Sequence, residues 1–153
     1  MDDFGKFFNG ALKFLSYRSR SEKEVRAHLL KKKAPKEIID AIIERLKEHK
    51  FLDDVEFARR FLEQRTSVNP KALRIVKMEL RKKGISDEII EGLNFNTEKD
   101  LESARKLLEK KIEKYKGLQR AEIYNKLGGF LARRGFNWDT IKKAIDETFD
   151  KVV

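Results

Sequence analysis

Apolar residues recur along this chain at steps of three and four, the period of a helix that buries one face. Val25, Leu29 and Leu30 form one such stripe, and Ile38, Ile39, Ile42, Ile43 and Leu46 form the next. Phe57, Ala58, Phe61 and Leu62 follow, then Leu73, Val76, Met78 and Leu80, then Ile89, Ile90 and Leu93. Ala104, Leu107, Leu108 and Ile112 mark a long helix, and a final pair spans about 118–134 and 138–150, broken at Gly135. No segment alternates convincingly at the period of a strand. Polar punctuation sets the boundaries. Ser21-Glu22-Lys23-Glu24 has the form of a capping box, in which the Ser21 hydroxyl accepts the Glu24 amide and Glu24 reaches back. Pro35 fits the first position of a helix, where its missing N–H costs nothing. Asn69-Pro70 reads as a cap with a first-turn proline, Ser86 as a cap, and Thr97-Glu98-Lys99-Asp100 as a helix start. Gly84 stands where a left-handed helix stop favours a residue without Cβ. Nine helices are predicted.

The helices repeat. Leu29-Leu30-Lys31-Lys32-Lys33, Leu80-Arg81-Lys82-Lys83-Gly84 and Leu131-Ala132-Arg133-Arg134-Gly135 are offset by 51 residues each time. Val25, Val76 and Leu127 keep the same step upstream, and Ile39, Ile90 and Ile141 keep it downstream. A constant spacing seen twice is a structural repeat, and a unit of this size buries too little core to stand alone. The expected fold is therefore all-α: a tandem array of three three-helix repeat modules, elongated and with room for curvature, divided as 1–50, 51–96 and 97–153. The first helix of each module does not hold the 51-residue offset, so the loops after it must differ in length.

Charge sharpens this picture. The chain has 153 residues, 41% of them charged, and a net charge of +10. The first and last thirds each carry +5 and the middle third is neutral, so the excess is not a single basic tail. A polyanionic partner fits, and so does a well-solvated helical surface. The basic clusters recur with the fold: Lys31, Lys32 and Lys33, then Arg81, Lys82 and Lys83, then Arg133 and Arg134, each in the last turn of a module's second helix. Two readings stay open. Cations at a helix C-terminus are favoured by the macrodipole by about 0.3–1 kcal/mol. Three equivalent clusters would also form a row able to track a periodic polyanion or a polymeric protein.

Other chemistry is excluded or has an ordinary account. No stretch free of Asp, Glu, Lys and Arg exceeds six residues, too short for a membrane span, and Met1-Asp2-Asp3-Phe4 does not open a secretory signal. The chain has no cysteine, which removes disulfides and thiolate chemistry and fits a cytoplasmic protein. Gly128-Gly129 lies inside a helical pattern and makes no phosphate loop. His28 and His49 are too far apart for a helical ligand pair, so no metal site and no cofactor are expected. Asp53-Asp54 is explained by the charge preference of a helix start. No nucleophile stands with a base, and no enzymatic activity is expected. Phe57, Phe61, Phe130 and Phe136 are expected in the core. Trp138 is expected to pack between helices, with base stacking or a partner contact as the alternative, and Tyr17 stands in a basic-aromatic mix with Arg18 and Arg20 but equally suits packing against the next helix.

Four segments in order carry a family likeness. Arg18-Ser19-Arg20-Ser21 with Glu24-Val25 resembles the opening motif of the RecX regulatory proteins. Leu52-Asp53-Asp54 with Phe57-Ala58 is similar to their second signature, Glu79-Leu80-Arg81-Lys82-Lys83-Gly84-Ile85 to the third, and Leu131-Ala132-Arg133-Arg134-Gly135-Phe136 to the fourth. The likeness covers roughly residues 10–147. It departs from the pattern at Lys33-Ala34-Pro35, where a Lys-Gly stop is usual, so this helix is expected to end by another device. The segment Thr66–Ala72 also lacks the usual glycines. The resemblance implies an all-helical regulator that binds the RecA recombinase filament in its groove and restrains recombination, ATP hydrolysis and cleavage of the SOS repressor. It also implies direct contact with single- or double-stranded DNA in some members. The candidate partner- or nucleic-acid-binding residues are Arg18, Arg20, Lys31, Lys32, Lys33, Arg81, Lys82, Lys83, Arg133 and Arg134. No membrane partner is expected, and a monomer is. The alternative is a non-specific DNA-binding helical protein that acts without RecA, since three-helix units with a tight turn resemble helix-turn-helix geometry. Against it, no helix carries the Asn, Gln and Arg mixture suited to base edges.

Overall fold

The structure, a computed structural model, describes the backbone of residues 3–96 and 98–152 and the side chains as far as Thr148. No strand occurs among the described residues. Three groups of three helices follow one another: α1 (Asp3–Tyr17), α2 (Glu22–Lys31) and α3 (Lys36–Glu48); α4 (Asp54–Ser67), α5 (Leu73–Lys82) and α6 (Asp87–Gly92); α7 (Glu98–Lys111), α8 (Arg120–Arg133) and α9 (Trp138–Val152). A single 3-10 turn, Ile112–Tyr115, extends α7. Thr97, at the predicted start of α7, lies outside the described residues.

Packing divides the chain into two compact units, Met1–Phe61 with Glu79–Leu93, and Leu62–Met78 with Asn94–Val153. In the first, Val25 and Leu29 of α2 meet Ile39, Ile42, Ile43 and Leu46 of α3, all at most 3% exposed, under the aromatic face of α1. In the second, Leu107 and Leu108 of α7, Leu127 and Leu131 of α8 and Ile141 and Ile145 of α9 form the equivalent core. The middle three helices contribute to both units: Phe57, Leu80 and Ile90 are buried in the first, and Leu73 and Val76 in the second.

The second helices α2, α5 and α8 all end alike. Ala34 N–H donates to Leu29 O, Ile85 N–H to Leu80 O and Phe136 N–H to Leu131 O, at 3.0, 3.1 and 3.3 Å. The residue between is left-handed each time: Lys33 at φ 67°, Gly84 at 81° and Gly135 at 93°. This is the Schellman arrangement, which satisfies carbonyls that the helix end would otherwise orphan. Helix α2 therefore uses the same stop as α5 and α8, with a lysine in the strained position, and not a separate device.

Two local expectations shift. Pro35 is the cap of α3 and not its first residue. Asn69-Pro70 does not cap α5, which begins at Leu73; Asn69 is itself left-handed at φ 48°. Phe57, Phe61 and Phe136 are buried, whereas Phe130 is partly covered, by the Lys111 ammonium 3.8 Å and the Arg134 guanidinium 5.0 Å from its ring. Trp138 packs between α9 and α8, its ring tilted against Tyr124 and close to Gly128, but at the surface, 58% exposed, and not in the core.

Candidate partner-binding surface

The geometry of the cationic corners follows from what each helix end meets. In the first unit, the α5 corner meets the start of α2. The Ser21 hydroxyl donates to Lys83 O at 2.6 Å while accepting from Glu24 N–H at 3.2 Å. The Lys23 ammonium donates to Lys82 O at 3.4 Å. The Glu24 carboxylate accepts from Ser21 N–H, completing the capping box, and pairs with Arg18 at 2.5 Å and Lys83 at 3.3 Å. From the next helix, Asp54 accepts from Glu22 N–H at 2.8 Å.

In the second unit, the α8 corner meets the start of α5 in the same register. Ala72 N–H donates to Arg134 O at 3.0 Å, the Arg74 guanidinium to Gly135 O at 2.6 Å, and Arg134 to Asn69 O at 3.1 Å. Asp100 accepts from Leu73 N–H at 2.9 Å. Ser21 and Ala72, Lys23 and Arg74, and Lys83 and Arg134 are each 51 residues apart, so the sequence period is the period of this joint. Asp54 and Asp100 are 46 apart, which is where the first helices leave the common step.

The joints also explain the glycines. A Cβ on Gly84 would lie 2.5 Å from Lys23 Cβ, and one on Gly135 would lie 2.3 Å from Ile75 Cγ1. The exposed Lys33 meets no such neighbour, and there a side chain is tolerated.

Electrostatics separate the joint residues by sign. Burial pushes Asp54 and Asp100 above the ordinary aspartate value, and the single amide each accepts does not offset it. Burial pushes Glu24 the same way, but Arg18, the Ser21 amide and Lys83 outweigh it and hold the carboxyl below its ordinary value. Glu22 behaves likewise, with Lys47 and Arg26 prevailing over burial.

The sequence-derived candidates thus fall into two sets. Arg18 and Lys83 are tied to Glu24, Arg81 pairs with Asp87 at 3.3 Å, and Arg134 is spent on Asn69 O and Phe130. Arg20 lies over the Phe14 ring at 3.9 Å, its pKa lowered by burial and by Arg18. By contrast, Lys31, Lys32 and Lys33 are exposed, and their ammonium groups have no partner among the described residues; Lys82 and Arg133 side chains are similarly open. The α2 corner is the one with all its cations available. Lys6 and Lys13, outside the sequence-derived set, stand on the exposed face of α1.

Comparison with known proteins places this arrangement. Residues 8–46 match "RecX, first three-helix domain", residues 53–92 "RecX, second three-helix domain" and residues 98–145 "RecX, third three-helix domain". The chain is similar to "Regulatory protein RecX" of Bacillus velezensis, 40% identical over 149 residues, covering 96% of this chain and 57% of that one. "Regulatory protein RecX" of Prosthecochloris aestuarii is 34% identical over 147 residues, with 95% of each chain covered. The crystal structure of RecX from Lactobacillus salivarius superposes with a TM-score of 0.80 at 30% identity, covering 95% of this chain and 96% of that one. The chain spans a little over half the length of the Bacillus relatives and nearly all of the Prosthecochloris one.

Proposed function

The chain belongs to the RecX family of regulatory proteins, and from that premise we propose that it binds RecA filaments in their helical groove and restrains the recombinase, its ATPase and its SOS co-protease activity. The observation that carries the reading is the free α2 corner. Lys31, Lys32 and Lys33 project three cations, with no partner among the described residues, from a helix end held in place by the buried Val25–Leu29 face. Together with Lys82 and Arg133 they offer charge on more than one module. Several weak contacts to a polymer then reinforce one another through effective concentration.

The division into modules 1–50, 51–96 and 97–153 belongs to this proposal, as do action in the cytoplasm and as a monomer. The joint positions identify which charges to test. Reversing Lys83 breaks its pair with Glu24, so loss of function there would mix folding with binding. Reversing Lys31, Lys32 and Lys33 breaks no side-chain hydrogen bond or ion pair among the described residues. In a RecA ATPase assay on single-stranded DNA, the Lys31→Glu/Lys32→Glu/Lys33→Glu variant should inhibit at least tenfold less well than the parent, at unchanged helix content. Full inhibition by that variant would remove the α2 corner from the mechanism, and no inhibition by the parent chain would remove the reading.

A further inference from the structure

The joint at the helix ends is made twice, each time from the same parts. The carbonyl before the left-handed stop, Lys83 O or Arg134 O, accepts from the residue that opens a second helix, Ser21 or Ala72. A first-turn aspartate, Asp54 or Asp100, accepts the next amide, Glu22 N–H or Leu73 N–H. The cation of the corner residue reaches an acceptor beside that start, Lys83 to Glu24 and Arg134 to Asn69 O. A third copy of the presenting side stands at α2. Lys32 lies 51 residues before Lys83, and Lys33 lies 51 before Gly84. Asp3 opens α1 as Asp54 opens α4, again 51 residues apart. Lys6, one turn along α1 from Asp3, lines one groove with Lys32, so the start of α1 lies beside the α2 corner. Asp3 is exposed, and no hydrogen bond among the described residues reaches its carboxylate or the Lys32 and Lys33 carbonyls. Ala34 and Ile39, next along the chain, are already buried in the first unit, so what the corner presents is polar.

We propose that Asp3 and the α2 corner form a docking surface for the first turn of an α-helix on a protein partner, one that opens with a free amide for Asp3 and an acidic residue for Lys32. The occupant follows from the two filled joints, where this constellation meets a helix start both times. The acidic residue follows from Glu24, which stands at the third position of α2 and pairs with Lys83. Acidic side chains suit the first turn of a helix because they complement its dipole. A carboxylate beside three lysines is out of place on a surface built for a polyanion. It is in place where an unpaired helix amide has to be met. The recombinase as partner rests on the regulatory reading; the helix start is what the corner recognises on it.

Lys33 sets how closely such a helix approaches. A Cβ on Gly84 or Gly135 would lie 2.5 or 2.3 Å from a side chain in the first turn of the helix it faces. Lys33 carries that Cβ at the same left-handed position. A docked helix therefore stands further off than in either internal joint, and the contact is weaker than the two that hold the fold.

The test is inhibition of the RecA ATPase on single-stranded DNA by the full chain, with helix content checked for every variant. Asp3→Ala should inhibit about threefold to tenfold less well, although it makes the chain more basic. Glu37→Ala removes an exposed carboxylate at the start of α3, changes the charge equally, and should inhibit as the parent does. Lys33→Gly should inhibit about threefold better than Lys33→Ala, since the two share a charge and differ in the Cβ. Parental or stronger inhibition by Asp3→Ala, the same loss in Glu37→Ala, or equal inhibition by the two Lys33 variants would each overturn the proposal. Sedimentation of the chain alone should show no association that Asp3→Ala abolishes. Such association would put a second copy in the corner, through its α8 start without a side-chain cap, and would overturn the assignment to the recombinase. Failure here is separable from failure of the regulatory reading. A chain that inhibits RecA, weakens on reversal of Lys31, Lys32 and Lys33, and strengthens in Asp3→Ala keeps that reading and loses this one, whereas no inhibition by the parent removes both.

Discussion

At the scale of single residues, the left-handed helix stops divide into two kinds. Lys33 adopts φ 67° because the Schellman bonds require it, and it pays the usual cost of a side chain there. Gly84 and Gly135 adopt the same conformation under a second constraint, the approach of another helix start to within van der Waals distance. The conformational part is worth about 1 kcal/mol. Lys33→Gly should therefore stabilise the chain by up to about 1 kcal/mol, while Gly84→Ala and Gly135→Ala should cost that amount and more, since a Cβ must also displace Lys23 or Ile75. Urea midpoints of the three variants decide this. Equal and small effects at all three positions would mean that the joints yield easily.

At the scale of helices, each joint is a mutual cap. The start of α2 and the end of α5 satisfy one another through Ser21, and Asp54 takes the first amide of α2. Ser21→Ala removes the α2 cap and leaves the Lys83 carbonyl short of its donor, so a loss of about 1–2 kcal/mol is expected in urea titration. The carboxylates respond to pH in opposite directions. Glu22 and Glu24 titrate lower in the folded chain than their ordinary value of 4.5, so the stability they add is complete above that pH and is lost as pH falls through their folded values. Asp54 and Asp100 titrate higher when folded, so the protonated form is favoured there; the stability linked to it is present below 3.8 and lost as pH rises through the folded values. Glu24→Gln should begin with a lower urea midpoint at pH 7 and fall less than the parent on acidification to about pH 3.5. A parallel decline would show that Glu24 does not titrate with folding.

At the scale of the whole molecule, the repeats along the chain and the compact units do not coincide: the middle three helices divide their buried residues between the two units. Each unit closes its own joint, one at Gly84 and one at Gly135. Hydrogen exchange should register this. Gly84→Ala is expected to lower amide protection in α2 and α6 with little change in α8 and α9, and Gly135→Ala to do the reverse. Equal loss throughout would mean that the chain opens as one cooperative body. No helix among the described residues is long and apolar enough to cross a membrane.

Much of this was legible in the residues themselves. Helical periodicity needs only local spacing, so the Val25–Leu29 and Ile39–Leu46 faces could be read directly, and the capping box at Ser21 appears in the structure as the sequence predicts. The 51-residue period was legible too, but not its meaning. Basic residues after Leu80 and Leu131 look alike in sequence whether they face solvent or another helix. Tertiary structure decided that Lys83 and Arg134 are occupied within the fold while Lys31, Lys32 and Lys33 have no partner among the described residues. It also replaced the expected Asn69 cap with Asp100, 27 residues beyond the amide it accepts, and left Trp138 exposed. The physical reason is common to all of these. A helix is closed by bonds four residues apart and is written locally. Whether a charge is free depends on which distant carbonyl or carboxylate the folded chain brings within 3–4 Å, and no local pattern encodes that.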